Sequence, residues 1–237
     1  MNIDGPLISA TFIERPNRFI TLIRLNEEVH SSHLPDPGRL KELLIPGAKL
    51  LVRPVKSAKR KTSYTTVMVN HNGRLISLVS TLPNTFVRHA LENDNIPIFK
   101  TYNLVRPEVK VDRHRFDFLL CDNNNNNFYL EVKSVTFVKN KIAKFPDAVT
   151  KRGMSHAMAL GKIVEEGGHA GILFVCQRPD ANSFQPMWKR DPQFSKALLY
   201  AHQVGVKVWC ITLNISKTKI TYKKEIPINL KKDKSYY

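Results

Sequence analysis

The hydrophobic pattern of this chain changes once, near Asn84, and that change limits the fold more than any other feature. Between residues 8 and 82, short segments alternate apolar and polar side chains, as β-strands do, and turn sequences such as Asn72-Gly73 separate them. Few residues in this half have the spacing of a helix. We therefore predict that residues 1–83 form a small all-β barrel.

Residues 84–237 follow a different pattern, in which helical and strand-like segments alternate. Asn84 is predicted to cap a first helix over residues 85–93, and a second helix is predicted over residues 150–166. Asp191-Pro192 is typical of the start of a third helix. Strands joined by helices are usually covered on both faces, so this half is predicted to be an α/β domain with a mixed sheet. The predicted strands lie at 103–111, 115–121, 128–136, 171–176 and 206–213.

The chain is strongly basic. It carries 37 Lys and Arg against 20 Asp and Glu, which gives a formal net charge of +17. The excess is present in both halves, because residues 1–86 hold 12 of the basic and 6 of the acidic side chains. Such a charge is typical of proteins that bind phosphate backbones, so we predict DNA as the partner, with RNA as a second candidate. A basic surface that is merely solvated is the alternative, and an anionic membrane is a weaker one.

The cysteines and the apolar segments indicate the cellular compartment of the protein. Cys121, Cys176 and Cys210 are far apart and set among apolar residues, which predicts reduced, buried thiols rather than disulfides or zinc ligands. Residues 1–20 show no basic leader followed by an apolar core, and no segment approaches the roughly 18 apolar residues of a membrane span. We therefore expect a cytoplasmic protein without a membrane partner.

Two predicted strands around a run of five asparagines, residues 123–127, place charged residues close together. With the turn in this run, Asp117 lies opposite Glu131 or its neighbour, and strand periodicity puts Lys133 on the same side as Glu131. Carboxylates about 5 Å apart repel each other, and a hard cation relieves that repulsion. Mg²⁺ suits the arrangement because it takes one or two carboxylates together with waters and phosphate oxygens. We predict that Asp117 and Glu131 bind Mg²⁺ or Mn²⁺ and that Lys133 supports phosphodiester hydrolysis.

The same spacing also suits a salt-bridge ladder on an exposed sheet face. The neighbours of the three charges favour a buried site instead, because they are core-like residues: Phe116, Phe118, Leu119, Leu120, Tyr129, Leu130 and Val132. Glu108 and Asp112, on the preceding segment, are candidate auxiliary ligands.

A basic loop lies between two predicted strands of the barrel. Small barrels often contact nucleic acid through such loops, and Tyr64 follows as a candidate stacking ring. A solvated hairpin tip is the alternative. The predicted phosphate contacts are Lys56, Lys59, Arg60 and Lys61.

Further candidate contacts lie near the 150–166 helix and in an unusual turn of the barrel. Lys151 and Arg152 in the first helical turn oppose the helix dipole, an arrangement that is favourable when a phosphate binds there. His156, four residues after Arg152, is predicted to face away from the apolar stripe and to line the cleft beside the acids; an ordinary surface histidine is the alternative. Arg39 follows Pro37-Gly38 and is predicted to contact phosphate or to pack against the second domain.

Three motifs, HLPDPGRL at 33–40, LEVKSVT at 130–136 and FPDAVTKRG at 145–153, together resemble the sugar fermentation stimulation protein family. The resemblance covers nearly the whole chain. It implies an N-terminal OB-like barrel and a C-terminal domain similar to the PD-(D/E)xK nuclease superfamily, which has a restriction-endonuclease-like fold. It also implies sequence-nonspecific DNA binding. The metal-site pattern of that superfamily matches Asp117, Glu131 and Lys133.

The chain departs from the family pattern in the first predicted helix, where Arg88 and His89 stand in place of an acidic residue and Glu92 is the nearest substitute. The resemblance further implies an influence on the transcription of maltose metabolism genes. Two functions therefore stay open: a Mg²⁺-dependent nuclease, and a non-catalytic DNA-binding transcriptional regulator that retains the nuclease fold. A sugar sensor is suggested only by the family's name.

Overall fold

A computed structural model describes residues 1–57, 59–93 and 96–232 of the chain. In the described part of the first half, strands follow one another in the order β3-β2-β1-β4-β5-β6, and β3 also pairs in parallel with β5. This last pairing closes β1 to β5 into a barrel, so the predicted OB-like architecture is confirmed. The strands are β1 (Ile8–Asn17), β2 (Ile20–Leu25), β3 (Glu28–His33), β4 (Lys49–Pro54), β5 (Tyr64–His71) and β6 (Arg74–Ser77).

The second half is an α/β unit around a mixed sheet with the order β15-β14-β12-β9-β8-β7. The central strands β9, β12 and β14 are parallel and the outer pairs are antiparallel. The predicted mixed sheet is thus confirmed. The elements are α1 (Leu82–Glu92), a 3-10 turn (Pro97–Phe99), β7 (Tyr102–Val111), β8 (His114–Asp122), β9 (Asn127–Val135), β10 (Val138–Lys139), β11 (Ile142–Phe145), α2 (Lys151–Glu165), β12 (His169–Cys176), β13 (Ser183–Pro186), α3 (Pro192–Gln203), β14 (Lys207–Ile215) and β15 (Ile220–Ile226).

Two apolar layers cover this sheet. On one face, Ala157 and Leu160 of α2 and Phe194 and Leu198 of α3 pack against strand residues such as Phe174. On the other face, α1 packs against the same strands through a second cluster of buried side chains. A three-stranded sheet of β10, β11 and β13, described in the order β10-β11-β13, lies beside the main one. The sequence pattern did not reveal it, because strands of two to four residues are too short to show a period.

The first helix begins three residues earlier than predicted. Its N-cap position is Thr81, and Pro83 lies in the first turn, where its missing N–H costs nothing. Asn84 is therefore a residue of the first turn and not the cap. The other predicted cap is confirmed, since the side chain of Asp191 accepts from Phe194 N at the start of α3. At the start of α2, the side chain of Thr150 accepts from Gly153 N, a cap that was not predicted.

The three cysteines are free thiols that differ in burial. Cys176 and Cys210 are buried and free, and burial raises the pKa of the Cys176 thiol to about 12. Cys121 is free but only half-buried, so the prediction of a buried thiol is wrong there, because β8 ends beside the asparagine turn.

No helix among the described residues is long and apolar enough to cross a membrane.

The side chain of Arg15 makes three hydrogen bonds to the turn that follows the barrel strand β3. The guanidinium of Arg15 donates to the main-chain oxygens of Gly38 at 2.6 Å, Arg39 at 2.9 Å and Asp36 at 3.1 Å. Beyond the turn, Arg39 N donates to Asp147 Oδ2 of the second domain at 2.8 Å. Arg15 therefore holds a barrel segment where it contacts the α/β domain.

We expect Arg15→Lys to lower the free energy of unfolding by about 2 kcal/mol, because a point-like ammonium cannot reproduce the fork of N–H donors. Urea denaturation measures this. Arg24→Lys, at an exposed position of β2, is the matched control and should stay within about 0.5 kcal/mol of the wild type. Equal losses in the two variants would contradict the proposed role of Arg15.

Candidate metal and nucleic-acid site

The antiparallel pair β8 and β9 places Asp117 beside Glu131. Phe118 pairs with Leu130 in the ladder, and extending this register by one residue sets Asp117 opposite Glu131. The asparagine run forms the expected turn, in which Asp122 Oδ1 accepts from the N–H groups of Asn124 and Asn126. The two carboxylates thus lie on one face of the hairpin.

Asp117 is held by hydrogen bonds to both of its oxygens. Oδ2 accepts from Val132 N at 2.8 Å, and Oδ1 accepts from Asn84 Nδ2 at 2.6 Å. The first bond ties the carboxylate to the neighbouring strand and the second ties it to α1. Its position is therefore determined by the sheet and by the helix on one face of that sheet.

Glu131 is only 4% exposed, and its two oxygens have different surroundings. Oε1 lies 2.5 Å from Lys133 Nζ and 2.6 Å from His156 Nδ1, distances at which both nitrogens donate to the carboxylate. Oε2 is buried as well and has no hydrogen-bond partner among the described residues. A buried, charged oxygen without a partner is costly unless a ligand engages it.

The pKa values of Asp117 and Glu131 are shifted in opposite directions. Burial and, next, repulsion from Glu131 raise the pKa of Asp117 to about 6. Burial also opposes ionisation of Glu131, but the hydrogen bond from His156 and the charge of Lys133 outweigh it, so the pKa of Glu131 lies below its ordinary value. Without a cation, the pair thus holds one firmly ionised carboxylate and one that titrates close to neutral pH.

Asp117 and Glu131 fit a hard divalent cation. In the described part of the chain, no three His, Cys, Asp or Glu side chains form a ready-made cage. Mg²⁺ does not require one, because it binds through one or two carboxylates and keeps several waters. The unpartnered Oε2 of Glu131 supplies a vacant oxygen ligand, and a cation would relieve the repulsion that raises the pKa of Asp117.

His156 and Asn84 both contact the acid pair. His156 was predicted to lie beside the acids, whereas Asn84 was predicted only as a helix cap. The prediction that His156 faces away from the apolar stripe is wrong: the ring is 4% exposed and packs 5.6 Å from Phe116. It is held inward by its contact with Glu131. Asn84 lies in the first turn of α1, and the Pro83-Asn84 pair was the available signal for it.

Some candidate ligands are not brought to the site. Glu108 lies opposite Asp117 in the β7–β8 register, but its exposed carboxylate pairs with Arg115 at 3.7 Å. Asp112 is exposed in the turn between the same strands. Glu92 pairs with Arg88 on the outer side of α1, so it does not replace the missing acid.

The predicted phosphate contacts fall into two groups. Arg39, Lys151 and Arg152 are exposed, and the bond from Arg39 N to Asp147 places the barrel turn beside the start of α2. The other group lies on the barrel loop, where Tyr64 is half-buried with its ring 5.3 Å from that of His30. Its exposed cations are Lys56, Lys59, Arg60 and Lys61, of which the last two line a shallow groove with Arg53 and His33.

Comparisons with known proteins identify the family. Residues 81–219 match the family model described as "Sugar fermentation stimulation protein RE domain", and residues 13–78 match "SfsA N-terminal OB domain". This chain belongs to the sugar fermentation stimulation protein family. Homologs from Clostridium tetani and Clostridium novyi are 38% and 39% identical, over 93% and 94% of this chain and 96% and 98% of their own lengths.

A solved structure agrees with the fold. The structure of Pyrococcus furiosus SfsA in complex with Ca²⁺ has a TM-score of 0.87 and 26% identity, and the alignment covers 97% of this chain and 98% of that one. The fold is thus an OB barrel followed by a restriction-endonuclease-like α/β domain.

The three family motifs meet in an interdomain cleft of about 260 Å³. Asp147 contacts Arg39 across it, and Ser134, which directly follows Lys133, opens into it. The motifs are far apart in sequence, so only the fold brings them together. The cleft is lined by Asp36, Pro37, Gly38, Ser80 and residues 134–137 and 144–150.

In EDTA at pH 8, we expect Asp117→Asn to raise the melting temperature by a few degrees, because it removes a buried charge that repels Glu131. An acid whose pKa is raised from 3.8 to about 6 on folding destabilises the fold when ionised. That cost is present above pH 6 and disappears as the pH falls from about 6 to about 4. The gain should therefore shrink over the same interval in thermal scans.

Asp122→Asn is the control for this experiment. Hydrogen bonds from Asn126 lower the pKa of Asp122, so its substitution should lower the melting temperature at neutral pH. A lower melting temperature for Asp117→Asn at pH 8 would contradict the electrostatic account of the acid pair.

Proposed function

We propose that this protein binds DNA without sequence specificity and hydrolyses phosphodiester bonds with Mg²⁺ or Mn²⁺ held by Asp117 and Glu131. The observation that carries the proposal is the buried, unpartnered Oε2 of Glu131 beside a second carboxylate whose pKa is raised to about 6. Phosphoryl transfer requires neutralisation of charge at the reacting phosphate, and a cation at two acids supplies it. The Ca²⁺ complex of the Pyrococcus furiosus relative supports a divalent cation here.

When bound, the cation supplies a Lewis acid and a water of lowered pKa. The protein's own residues do the positioning. Asn84 and Val132 N orient Asp117, while Lys133 and His156 hold Glu131 in its ionised form. The Lys133 side chain is 13% exposed, so its ammonium is the cation of the site that a phosphate can reach. Lys133 would stabilise the charge that develops on that phosphate.

Binding is attributed to cations on both domains. Arg39, Lys151 and Arg152 lie beside the cleft, and the barrel loop adds further exposed cations, Lys56, Lys59, Arg60 and Lys61. Contacts of this type go to phosphates, which are the same in every sequence, so they give affinity without selectivity. RNA shares this chemistry and is the second candidate substrate.

The test of catalysis is cleavage of single-stranded, duplex, flapped and RNA substrates in Mg²⁺ or Mn²⁺. We expect cleavage by the wild type and a loss of about 100-fold or more in Lys133→Met and Glu131→Gln. Lys110→Met is the matched control, because it removes the same charge from an exposed position of β7. Calorimetry should show that Glu131→Gln also loses cation binding.

Absence of cleavage on all four substrates with either cation would overturn hydrolysis. Cation binding that is unchanged in Glu131→Gln would overturn the assignment of the metal ligands. The two parts of the proposal can thus fail separately.

A second candidate function is a non-catalytic DNA-binding regulator that retains the nuclease fold. It is favoured by the contact of Lys133 with Glu131, which engages the ammonium before any substrate arrives. In both cases, Lys59→Gln, Arg60→Gln and Lys61→Gln combined should weaken DNA binding and reduce the salt slope by up to about 3. Fluorescence anisotropy at several salt concentrations measures both quantities.

Asp117→Ala separates the two functions when it is included in these assays. It should leave DNA affinity unchanged or raise it, since a negative charge is removed, and should abolish cleavage only if the site is catalytic. An affinity that does not depend on salt would count against both functions.

A further inference from the structure

A second pocket lies on the small sheet of β10, β11 and β13, in the turn that leads from β13 to α3. It encloses about 440 Å³, within the roughly 300–1,000 Å³ of small-ligand sites. We call it the Trp188 pocket. Two aromatic side chains, Phe137 and Trp188, line it together with four cations, Lys139, Lys144, Lys189 and Arg190.

The charges of the Trp188 pocket have one sign. None of the described residues that line it is acidic, and none of its four cations takes part in a described ion pair. Arg190 donates only to neutral groups in the described structure, the main-chain oxygen of Asp147 and the sulfur of Met187. Like charges around one cavity repel each other, and an anionic ligand relieves that repulsion.

The aromatic side chains add a requirement that an inorganic anion does not meet. Trp188 is half-buried, and its ring N–H has no hydrogen-bond partner among the described residues, so no such bond fixes the indole. The guanidinium of Arg190 lies 5.6 Å from the centre of the Phe137 ring. Aromatic rings and guanidinium planes are the surfaces on which unpaired bases stack. The fitting ligand therefore combines a flat ring with a negative charge.

The pocket adjoins the interdomain cleft. Phe137 and Lys144 line both cavities, and Lys144 N donates to Phe137 O at 2.9 Å. Ser134, at the other side of the cleft, directly follows Lys133. A strand with one phosphate near Lys133 would thus reach the Trp188 pocket by passing over Lys144.

We infer that the Trp188 pocket binds an unpaired nucleotide of a single-stranded segment whose neighbouring phosphates lie in the cleft. Its base stacks on Trp188, and its phosphates contact Lys139, Lys144 and Lys189. The inference rests on nucleic acid as the partner under the proposed function, but not on hydrolysis. Bases within a duplex are already stacked, so the pocket favours single strands, overhangs and flaps.

The first experiment uses the fluorescence of Trp188 in the full chain. The sequence contains two tryptophans, so Trp209→Phe leaves Trp188 as the sole indole. We expect oligo(dT) to quench the emission, because a stacked base deactivates the excited indole. An abasic oligonucleotide of the same length and charge should bind with little quenching. Equal quenching by both would overturn the inference.

The second experiment measures affinity in the otherwise wild-type chain, so it does not depend on Trp209→Phe folding. Trp188→Leu should weaken binding of oligo(dT) about 10-fold without changing the salt slope. Lys189→Gln should reduce that slope by about 1. Affinity for a blunt duplex should not change in Trp188→Leu.

The outcomes distinguish this inference from the proposed function. Stacking without cleavage would support the pocket and leave hydrolysis unsupported. Cleavage or duplex binding with an unchanged oligo(dT) affinity in Trp188→Leu would overturn the pocket alone. Absence of binding to any nucleic acid would overturn both.

Discussion

The burial of Glu131 between Lys133 and His156 is the interaction on which the rest of the structure depends. An ionised carboxylate that is 4% exposed costs several kcal/mol unless cations or donors compensate it. One compensating group comes from the same strand, β9, and the other from α2. The charge thus attaches the helix to the central sheet, and removal of either partner would leave the carboxylate under-compensated.

The state of Asp117 follows from that arrangement. Asp117 is buried and lies beside an ionised carboxylate, so its pKa stays raised although Asn84 and Val132 N donate to it. The protein thereby keeps electrostatic strain in the absence of a cation, at the place where one oxygen of Glu131 has no partner. Under the proposed function, metal affinity and local instability have the same origin, as is common in functional sites.

The barrel contributes to the same region. Arg15 holds the Asp36–Arg39 turn, and the N–H of Arg39 binds Asp147 of the α/β domain. Residues of the barrel turn and the residues that lead into α2 therefore line one cleft. The small sheet separates this cleft from the adjoining Trp188 pocket, and Phe137 and Lys144 line both cavities.

Local patterns in the chain were sufficient to predict the barrel, the mixed sheet, the Asp191 helix cap and the pairing of Asp117 with Glu131 and Lys133. Each depends on neighbours in sequence: a strand period of two, a turn in the asparagine run, or a side chain that caps its own helix. The inward orientation of His156, the bond from Asn84 to Asp117 and the placement of Phe137 and Trp188 around one pocket were decided only by the folded chain. These arrangements bring together residues up to 51 positions apart. Helical spacing predicts which residues share a face but not which partner that face meets. For His156, that partner is the buried carboxylate of Glu131, which comes from a strand 25 residues earlier in the chain.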